Sequence, residues 1–460
     1  MICESKKKSN IKFQNLIVKG QSSLSGDVII SGAKNSALVL LAASILTKNK
    51  IFLENVPNLS DIEKMENILK TLGIKVSRDL KKMNQLIINP KNLHNCELPF
   101  ELVKGLRASF FCIGPLLAKL GEASLALPGG CKIGKRPIKE HIKGLELLGA
   151  KITIENGFVK AKINNKKNRL VGTTIKLSCP SVGATETLIM AASLAEGKTK
   201  LVNAAREPEI QDLCKMLIKM GARIQGAGSS EIIIYGVDKL IGCSHKVIPD
   251  RIEAGTFLIA AAATLSSITI SQVIPEHLEI VLEKLIESGS QISVKNDSIS
   301  IFTKRIKAVD VETAPFPGFP TDLQAPFTAL MTIADGESKI SEKIFEKRMS
   351  HILALRKMGA SIKVNKNIAF IKGVKRLKGN DLIGSDLRST AAIIIAALAA
   401  NNQSSVEGLD HLDRGYECFE EKLTKLGANI TRNFFFESII EPKEFKKIES
   451  SNITDKYHAA

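Results

Sequence analysis

The chain has 460 residues, of which 44% are apolar, 24% charged and 5% aromatic, and this length predicts two or three domains with a large buried core. Its formal net charge of +18 indicates anionic partners, either nucleic acid or phosphorylated small molecules. With three Tyr and no Trp, the sequence offers few aromatic platforms for stacked bases, which argues against a single-strand binder.

The spacing of the cysteines bears on metal binding, and the length of the apolar runs bears on membrane insertion. None of the eight cysteines forms a C-x-x-C pair, so we expect no metal site. Residues 1–10 are polar and basic rather than an apolar leader. The longest apolar runs, such as residues 391–400, are shorter than the ~20 residues that span a bilayer. We therefore expect a cytoplasmic protein with no membrane partner.

Six similar units follow one another along the chain. Each contains an apolar helix, a strand, an amphipathic helix, a glycine and a hairpin, with a period of about 70 residues. The glycines are Gly73, Gly149, Gly221, Gly289, Gly359 and Gly427. The apolar helices begin near Ser31, Leu106, Ser181, Glu253, Thr321 and Asp386. A glycine after an amphipathic helix predicts a left-handed cap, and a helix that is apolar all round predicts burial. The repeats therefore predict an α/β fold of two globular halves, three units each, with the apolar helices inside.

The second unit carries an insertion at residues 128–136. Its sequence, PGGCKIGKR, surrounds one thiol, Cys131, with cations. Cations lower the pKa of a thiol and attract anions. The stretch also fits most of a Walker A loop, but Arg136 stands where the magnesium-binding Ser or Thr belongs, which excludes a nucleoside triphosphatase. An inserted, glycine-containing, cationic loop predicts a mobile lid.

Several of the apolar helices open with charged residues. These are Lys34 (followed by Asn35), Arg107, Asp322, Asp386 and Arg388. An Asp at a helix start can simply cap the helix, so this interpretation stays open for Asp322 and Asp386. Cations oppose the helix dipole at that end, so capping does not explain Lys34, Arg107 or Arg388. Buried helix N-termini with added cations predict an anion-binding site.

Eight short segments within residues 15–430 together resemble the enolpyruvyl transferases. They are SGAKNSAL (31–38), LRAS (106–109), LPGGC (127–131), SVGAT (181–185), AREPEI (205–210), FPTDLQ (319–324), DLR (386–388) and DRGYE (413–417). The cysteine-containing segment and SVGAT favour the branch of the family that uses UDP-N-acetylglucosamine over the branch that uses a shikimate acceptor.

The resemblance implies both a fold and a reaction. The fold would be a two-domain inside-out α/β barrel, with residues 34–248 as the first domain and residues 1–33 plus 249–460 as the second. The reaction would transfer the enolpyruvyl group of phosphoenolpyruvate to the 3′-hydroxyl of UDP-N-acetylglucosamine and release phosphate, as the first committed step of peptidoglycan synthesis. It would need no organic cofactor.

The resemblance also implies the site residues. Phosphoenolpyruvate would be bound by Lys34, Asn35, Arg136 and Arg414. The nucleotide sugar would be bound by Arg107, Arg136, Pro137, Ile138, Lys139, Glu140, Cys179, Pro180, Ser181, Val182, Asp322 and Ile344. Supporting positions would be His141, Arg348, Asp386 and Arg388. The chain departs from the family pattern at Cys179, where Lys is common, and at Lys139 and Glu140, where Asp-Leu is usual.

The implied chemistry needs a general acid, a base and fixed cations. Protonation of the phosphoenolpyruvate methylene makes C2 electrophilic, a sugar hydroxyl adds there, and elimination of phosphate restores the enol. Cys131 fits the acid, Asp322 fits either the base or an orienting group, and Lys34 is the third catalytic candidate. Neighbouring cations favour a thiolate, so Cys131 could instead be a transient nucleophile, and both roles stay open.

Two other functions compete with this interpretation. Transfer to a shikimate acceptor would use the same repeated fold, and Cys131 together with residues 181–183 argues against it. A basic helical-repeat protein that binds nucleic acid would account for the net charge, but the scarcity of aromatic residues and the charges at buried helix starts argue against it. We therefore expect small-molecule partners and no nucleic acid.

Overall fold

The buried apolar side chains form two separate clusters. The structure, a computed structural model, describes residues 11–79, 82, 84–127, 134 and 137–436. One cluster, here called the first core, draws its residues from 33–247, and the second core draws its residues from 16–30 and 252–430. The chain therefore passes between the two cores twice, near residues 31–33 and near residues 248–251.

Two strands open the described chain, and three units around the first core follow them. The opening strands are β1 (Ile11–Lys19) and β2 (Ser25–Ile29). The next elements are α1 (Lys34–Ala43), β3 (Ile51–Glu54), α2 (Ser60–Thr71), β4 (Lys75–Arg78), β5 (Leu86–Asn89), β6 (Glu97–Leu98), α3 (Phe100–Lys104), α4 (Ile113–Leu120), β7 (Glu122–Ala126), α5 (Lys139–Leu147), β8 (Ala150–Glu155) and β9 (Phe158–Ile163). The third unit and the closing strand are β10 (Thr174–Lys176), α6 (Val182–Ala192), β11 (Lys198–Val202), α7 (Pro208–Lys219), β12 (Arg223–Gln225), β13 (Glu231–Tyr235) and β14 (Ser244–Lys246).

Three further units surround the second core. Their elements are α8 (Arg251–Ala263), β15 (Ser267–Ser271), α9 (Glu279–Glu287), β16 (Ser290–Lys295), β17 (Ser298–Thr303), β18 (Val311–Glu312), α10 (Thr321–Met331), β19 (Glu337–Ser341), α11 (His351–Lys357), β20 (Ser361–Asn365), β21 (Ile368–Lys372), β22 (Asp381–Ile383), α12 (Leu387–Ala399), β23 (Gln403–Glu407), α13 (Leu409–Leu412), α14 (Phe419–Lys425) and β24 (Ile430–Phe436). The apolar helices α8, α10 and α12 are buried along nearly their whole length and pack against one another. Within the described residues, every helix is too short or too polar to cross a bilayer.

The described strands form six separate four-stranded sheets rather than one closed barrel of strands. The sheets of the first core run β14-β3-β5-β4, β6-β7-β9-β8 and β10-β11-β13-β12. Those of the second core run β16-β17-β15-β2, β18-β19-β21-β20 and β22-β23-β1-β24. Each sheet pairs two strands in parallel and continues into antiparallel pairs, which confirms the predicted sixfold repeat.

The chain crosses between the cores directly after two strands that pair with distant partners in their own core. The strand β2 pairs in parallel with β15 of the second core, although the next element along the chain, α1, belongs to the first. Conversely, β14 pairs with β3 of the first core and is followed by α8 of the second. The crossing segments meet where Gly32 bridges to Pro249. A Cβ atom on Gly32 would lie 1.7 Å from the carbonyl oxygen of Asn55, so only glycine fits this crossing.

The six predicted glycine caps are confirmed. Their φ angles lie between 91° and 101°, and each follows the end of one of the amphipathic helices α2, α5, α7, α9, α11 and α14. At the first of them, the amide of Gly73 donates to the carbonyl of Lys70, and Ile74 N donates to Leu69 O. These bonds satisfy the last carbonyls of the helix and turn the chain into the following strand.

The second apolar helix departs from the predicted pattern. Residues Arg107–Cys112 form a 3-10 turn, and the α-helix begins only at Ile113. Pro115 lies in the first turn of α4, where its missing amide proton is tolerated, whereas deeper inside a helix its ring would collide with the carbonyl of Phe111. Arg107 therefore lies in a tighter turn than the cations of the other apolar helices.

The predicted insertion in the second unit is present. Residues 127–138 connect β7 to α5, whereas residues 55–59 connect β3 to α2 and residues 203–207 connect β11 to α7. Residues 128–133, 135 and 136 lie outside the described residues, and Cys131 and Arg136 are among them.

Candidate active site

Lys34 is a buried cation at the start of α1. Its ammonium nitrogen lies 2.7 Å from Oδ2 of Asp61, in the first turn of α2. On the other side of this carboxylate, Nε of Arg414 lies 3.0 Å from Oδ1. The site therefore joins a lysine and an aspartate of the first core to an arginine of the second through one carboxylate.

For both Lys34 and Asp61, burial and the opposite charge of the partner shift the pKa in opposite directions. Burial lowers the pKa of Lys34, Asp61 opposes the shift, and Arg388 and Arg414 reinforce it. Burial alone would raise the pKa of Asp61, but Lys34 and Arg414 outweigh it and hold the pKa of that carboxyl below its usual value. Asp61 is therefore ionised and keeps two neighbouring cations charged in the absence of an anionic ligand.

Asp322 lies between two further arginines. Its Oδ1 is 2.7 Å from Nη2 of Arg348, and its Oδ2 is 2.8 Å from Nη2 of Arg388. Both arginines have nearly buried side chains, whereas the side chain of Asp322 is 25% exposed. Burial alone would raise the pKa of Asp322, but the two guanidinium groups hold it well below its usual range. Asp322 is therefore a carboxylate suited to orient a hydroxyl, and a proton acceptor only where a ligand draws the arginines away.

Of the two aspartates at helix starts, Asp386 is a helix cap and Asp322 is not. Asp386 caps α12, because its Oδ1 accepts from the backbone amides of Arg388 and Ser389 at 3.1 Å. Asp322 makes no capping bond, since α10 begins after Pro320 with no side-chain cap. The capping interpretation, left open for both residues by the sequence, therefore applies to Asp386 and not to Asp322.

One donor of the arginine pair, Nε of Arg348, is buried without a hydrogen-bond partner among the described residues. Arg388 has the Tyr416 hydroxyl as a partner besides Asp322, and its guanidinium carbon lies 5.1 Å from the ring centroid of Tyr416. Buried N–H groups are nearly always paired, so an unpaired guanidinium donor beside further cations suits an anionic ligand.

Eight of the predicted nucleotide-sugar residues, 137–140 and 179–182, lie at the N-termini of α5 and α6, whereas Arg107 lies in the 3-10 turn, Asp322 in α10 and Ile344 after β19. Ser181 caps α6 by accepting from the amide of Ala184 at 3.4 Å. Glu140 accepts from the amide and the hydroxyl of Ser178 at 2.9 and 2.8 Å. Among the predicted nucleotide-sugar residues, Pro137, Lys139 and Cys179 are exposed, and Arg107, Ile138, Pro180, Val182 and Ile344 are half-buried; Asn35, predicted for phosphoenolpyruvate, is exposed. Glu140 thus ties these two helix N-termini together.

His141 of α5 packs beneath the N-termini of α5 and α6, where it contacts Thr187 of α6. Its Nδ1 lies 3.1 Å from Oγ1 of Thr187, and its ring meets Phe110 edge-on with centroids 5.2 Å apart. Burial, and to a smaller extent the charge of Arg107, lower the pKa of His141 to about 3. The imidazole is therefore neutral, and its contacts hold α5 against Thr187 of α6 and against Phe110.

One residue of the inserted loop is described, and it lies beside the second core. A Cβ atom on Gly134 would be 2.6 Å from Oε2 of Glu346 and 3.2 Å from its amide nitrogen, and φ of Gly134 is 142°. Glu346 is two residues before Arg348. Gly134 therefore lies beside the segment of the second core that leads to Arg348.

Two contributors to the site were not singled out from the sequence. Asp61 has the features of an ordinary acidic residue in the first turn of a helix, and Tyr416 lies inside the quoted segment 413–417, of which only Arg414 was selected. The signal that could have found Asp61 is the burial of Lys34, because a buried ammonium group needs a carboxylate close by. The described residues contain no group of three or more His, Cys, Asp or Glu side chains that could hold a metal ion.

The chain is similar to proteins of one family over nearly its whole length. The family profile described as EPSP synthase (3-phosphoshikimate 1-carboxyvinyltransferase) matches residues 18–423. Two proteins of Prochlorococcus marinus named UDP-N-acetylglucosamine 1-carboxyvinyltransferase are 68% identical (strain MIT 9312, over 97% of each chain) and 65% identical (strain MIT 9301, over 100% of each chain).

Solved structures share the fold. The enolpyruvyl transferase NikO from Streptomyces tendae superposes with a TM-score of 0.82 at 24% identity, over 92% of this chain and 99% of that one. EPSP synthase from Acinetobacter baumannii superposes with a TM-score of 0.71 at 19% identity, over 92% of this chain and 100% of that one. The repeated units, the cationic site and these similarities agree: the chain belongs to the EPSP synthase family of enolpyruvyl transferases.

Proposed function

We propose that this enolpyruvyl transferase moves the enolpyruvyl group of phosphoenolpyruvate to the 3′-hydroxyl of UDP-N-acetylglucosamine and releases phosphate, the step that commits the sugar to peptidoglycan. The observation that carries the proposal is a cluster of cations, in which Lys34 and Arg414 share Asp61 and Arg388 acts by its charge on Lys34, in a chain 65–68% identical to proteins named for this reaction. The proposed partners are therefore these two small molecules.

The cations suit the phosphoenolpyruvate half of the reaction. Lys34 and Arg414, with Asn35 and the loop residue Arg136, would bind its phosphate and carboxylate, since both groups are anionic and fixed cations stabilise them without reorganisation. On binding, these anions would replace Asp61 as the counter-charge of Lys34 and Arg414. They would also raise the pKa of the Cys131 thiol, which favours its acid form.

The second half of the reaction uses the carboxylate of Asp322. Cys131 would protonate the methylene carbon and become a thiolate, and the acceptor hydroxyl, oriented by Asp322, would form a bond to C2 as its proton passes to a phosphate oxygen. The resulting methyl group then returns a proton to the Cys131 thiolate, which restores the double bond as the C2–O bond to phosphate breaks and phosphate leaves. Arg348 and Arg388 keep Asp322 ionised, so it accepts a hydrogen bond from the hydroxyl until that proton leaves.

The predicted domains and compartment belong to the same proposal. We assign residues 34–248 to one domain and residues 1–33 plus 249–460 to the other, because the two cores divide the buried residues close to these points. Substrate would bind in the cleft between them, where Asp61 and Arg414 face each other. We place the reaction in the cytoplasm, because both proposed substrates are highly charged and do not cross a bilayer unaided.

The proposal is tested by phosphate release with each substrate alone and with both together. We expect phosphate only when phosphoenolpyruvate and UDP-N-acetylglucosamine are both present, and none when shikimate 3-phosphate replaces the nucleotide sugar. Phosphate release with shikimate 3-phosphate would assign the chain to the other branch of its family. Phosphate release without any acceptor would contradict transfer altogether.

A further inference from the structure

A loop of the second core contacts the N-terminus of α2 at two points. Arg414 binds the carboxylate of Asp61 with Nε 3.0 Å from Oδ1, and the backbone amide of Ser60 donates to the carbonyl oxygen of Asp413 at 3.2 Å. We call the two segments, residues 58–61 and 413–417, the clasp. At the clasp, Arg414 of the second core binds Asp61, which also binds Lys34 of the first core.

Glu417 adds two bonds to the clasp, one to the segment before α2 and one to the crossing segment that begins at residue 31. Its Oε1 accepts from the amide of Asn58 at 2.7 Å, and its Oε2 accepts from the hydroxyl of Ser31 at 2.6 Å. Ser31 is in turn held by Lys422 and by Glu253 at 2.7 Å each. A single carboxylate of the second half thus fixes two separate backbone segments of the chain.

The spacing of these contacts connects Glu417 to the site. Ser31 is three residues before Lys34, and Asn58 is three residues before Asp61. Glu417 is itself three residues after Arg414. Each segment that meets at Glu417 therefore carries one charged group of the phosphoenolpyruvate site, and a shift of any segment moves its charge relative to the other two.

Side-chain contacts hold the 413–417 loop against the second core. Asp413 accepts two bonds from Arg432 of β24, at 2.9 and 2.8 Å. Tyr416 is buried, pairs with Thr256 at 2.9 Å and packs on Phe419 with ring centroids 4.9 Å apart. The loop is anchored on the second core at both ends, so its contact with the first core determines where Arg414 lies relative to Lys34.

We propose that Glu417 is a positioning residue for phosphoenolpyruvate binding, which sets the distance between Arg414 and Lys34 by fixing Ser31 and Asn58. It acts through those cations and touches no reacting atom. The inference rests on the proposed function, since it takes the ligand of Lys34 and Arg414 to be phosphoenolpyruvate. Misplacement of binding groups by about 1 Å can cost up to about 10²-fold in rate, so the positioning has a measurable effect.

The test compares Glu417→Ala with Glu417→Gln and with Asp410→Ala. Alanine removes both bonds. Glutamine keeps an oxygen for the amide of Asn58 and offers an N–H to the hydroxyl oxygen of Ser31, but it has no charge. Asp410 is an exposed carboxylate of the same loop region and controls for the loss of a negative charge.

We expect Glu417→Ala to raise the KM for phosphoenolpyruvate about tenfold or more, with a dissociation constant for UDP-N-acetylglucosamine close to that of the wild type. Glu417→Gln and Asp410→Ala should stay within about threefold of the wild type for both substrates, because bond geometry rather than charge is the operating factor. Amide hydrogen exchange at residues 58–61 should accelerate only in the alanine variant.

Three results would overturn the inference. The first is an unchanged KM for phosphoenolpyruvate in Glu417→Ala. The second is an equal rise of that KM in Glu417→Ala and Glu417→Gln. The third is an equal loss of affinity for both substrates in Glu417→Ala together with a lower melting temperature. Titration of the same variants with inorganic phosphate needs no turnover, and weaker phosphate binding is expected in Glu417→Ala alone. This arm tests the inference even if the wild type fails to release phosphate, so the two failures are distinguished.

Discussion

Two aspartates, Asp61 and Asp322, hold four cations of the site in the absence of ligand. Asp61 bridges Lys34 and Arg414, and Asp322 bridges Arg348 and Arg388. An unpaired cation is costly to bury, so each carboxylate keeps its cations charged until an anionic substrate arrives. The two carboxylates differ in exposure: the side chain of Asp61 is 2% exposed and that of Asp322 is 25% exposed. Only Asp322 is therefore available to an incoming hydroxyl.

Replacing Asp322 by Asn tests its role in turnover. The amide still accepts a hydrogen bond, but it no longer neutralises the two arginines and cannot accept a proton. We expect kcat to fall by about 10²-fold or more, while the affinity for the nucleotide sugar changes only a few-fold. Steady-state kinetics with calorimetry measures both, and the exposed Asp381→Asn serves as the control. Near-normal kcat in Asp322→Asn would reduce this residue to a structural counter-ion.

Cys131 is the second residue whose role can be decided by substitution. A small phosphonate epoxide that resembles phosphoenolpyruvate should give one covalent adduct, at Cys131, which mass spectrometry of a digest locates. If Cys131 acts as an acid, Cys131→Asp should stay active with a lower pH optimum, since a carboxyl near ~3.9 ionises far below a thiol near ~8.5. It should also resist the epoxide, and Cys131→Ser should be nearly inactive. An inactive Asp variant that still binds both substrates would favour an obligatory covalent adduct.

At the scale of single elements, α6 carries a buried acid that the reaction does not use. Glu186 is buried, its Oε2 has no hydrogen-bond partner among the described residues, and burial raises its pKa well above 4.5, with Glu209 and Glu207 adding to the shift. The folded chain thus keeps a proton on Glu186 that the unfolded chain loses above its ordinary pKa. Stability from this group is therefore present at low pH and is lost as pH rises.

Glu186→Gln should remove this pH dependence. The amide has the shape of the protonated carboxyl, so the variant should unfold like the wild type near pH 4 and be more stable at pH 7 to 8. The difference should grow by about 1.4 kcal/mol for each pH unit above the unfolded pKa. Urea unfolding at several pH values measures it, with the exposed Glu283→Gln as the matched control. A constant difference between Glu186→Gln and the wild type at all pH values would show that Glu186 is ionised in the fold.

Local signals in the sequence predicted most elements and missed those set by distant contacts. The glycine caps were predictable because one residue determines each cap. The 3-10 turn at Arg107 was missed, although Pro115 carries the signal, because the apolar pattern continues through it. The burial of Lys34 called for a nearby carboxylate, but no spacing rule identifies it as Asp61, since Lys34, Asp61 and Arg414 come from three separate segments.

At the scale of the whole molecule, the chain crosses between the two cores twice, directly after β2 and directly after β14. The partners of these strands were not visible in the sequence, because parallel pairing of strands about 200 residues apart leaves no local pattern. A double crossing with few linking residues suits a hinge, and Gly134 lies beside Glu346 of the second core.

Ligand-driven closure is the expectation that follows for the whole molecule. Saturating UDP-N-acetylglucosamine should reduce the radius of gyration in solution scattering and protect residues 128–136 from protease, because the two halves then share one ligand. UDP alone is the control, since it lacks the sugar. Identical scattering and identical cleavage with and without the nucleotide sugar would argue against a lid.

Turnover in deuterated water tests whether a hydroxyl adds to C2 before phosphate is eliminated. We expect one enolpyruvyl group on UDP-N-acetylglucosamine for each phosphate released, with solvent deuterium in the vinyl methylene, because that carbon gains and then loses a proton. A product without deuterium, or phosphate released without modification of the sugar, would rule out addition followed by elimination.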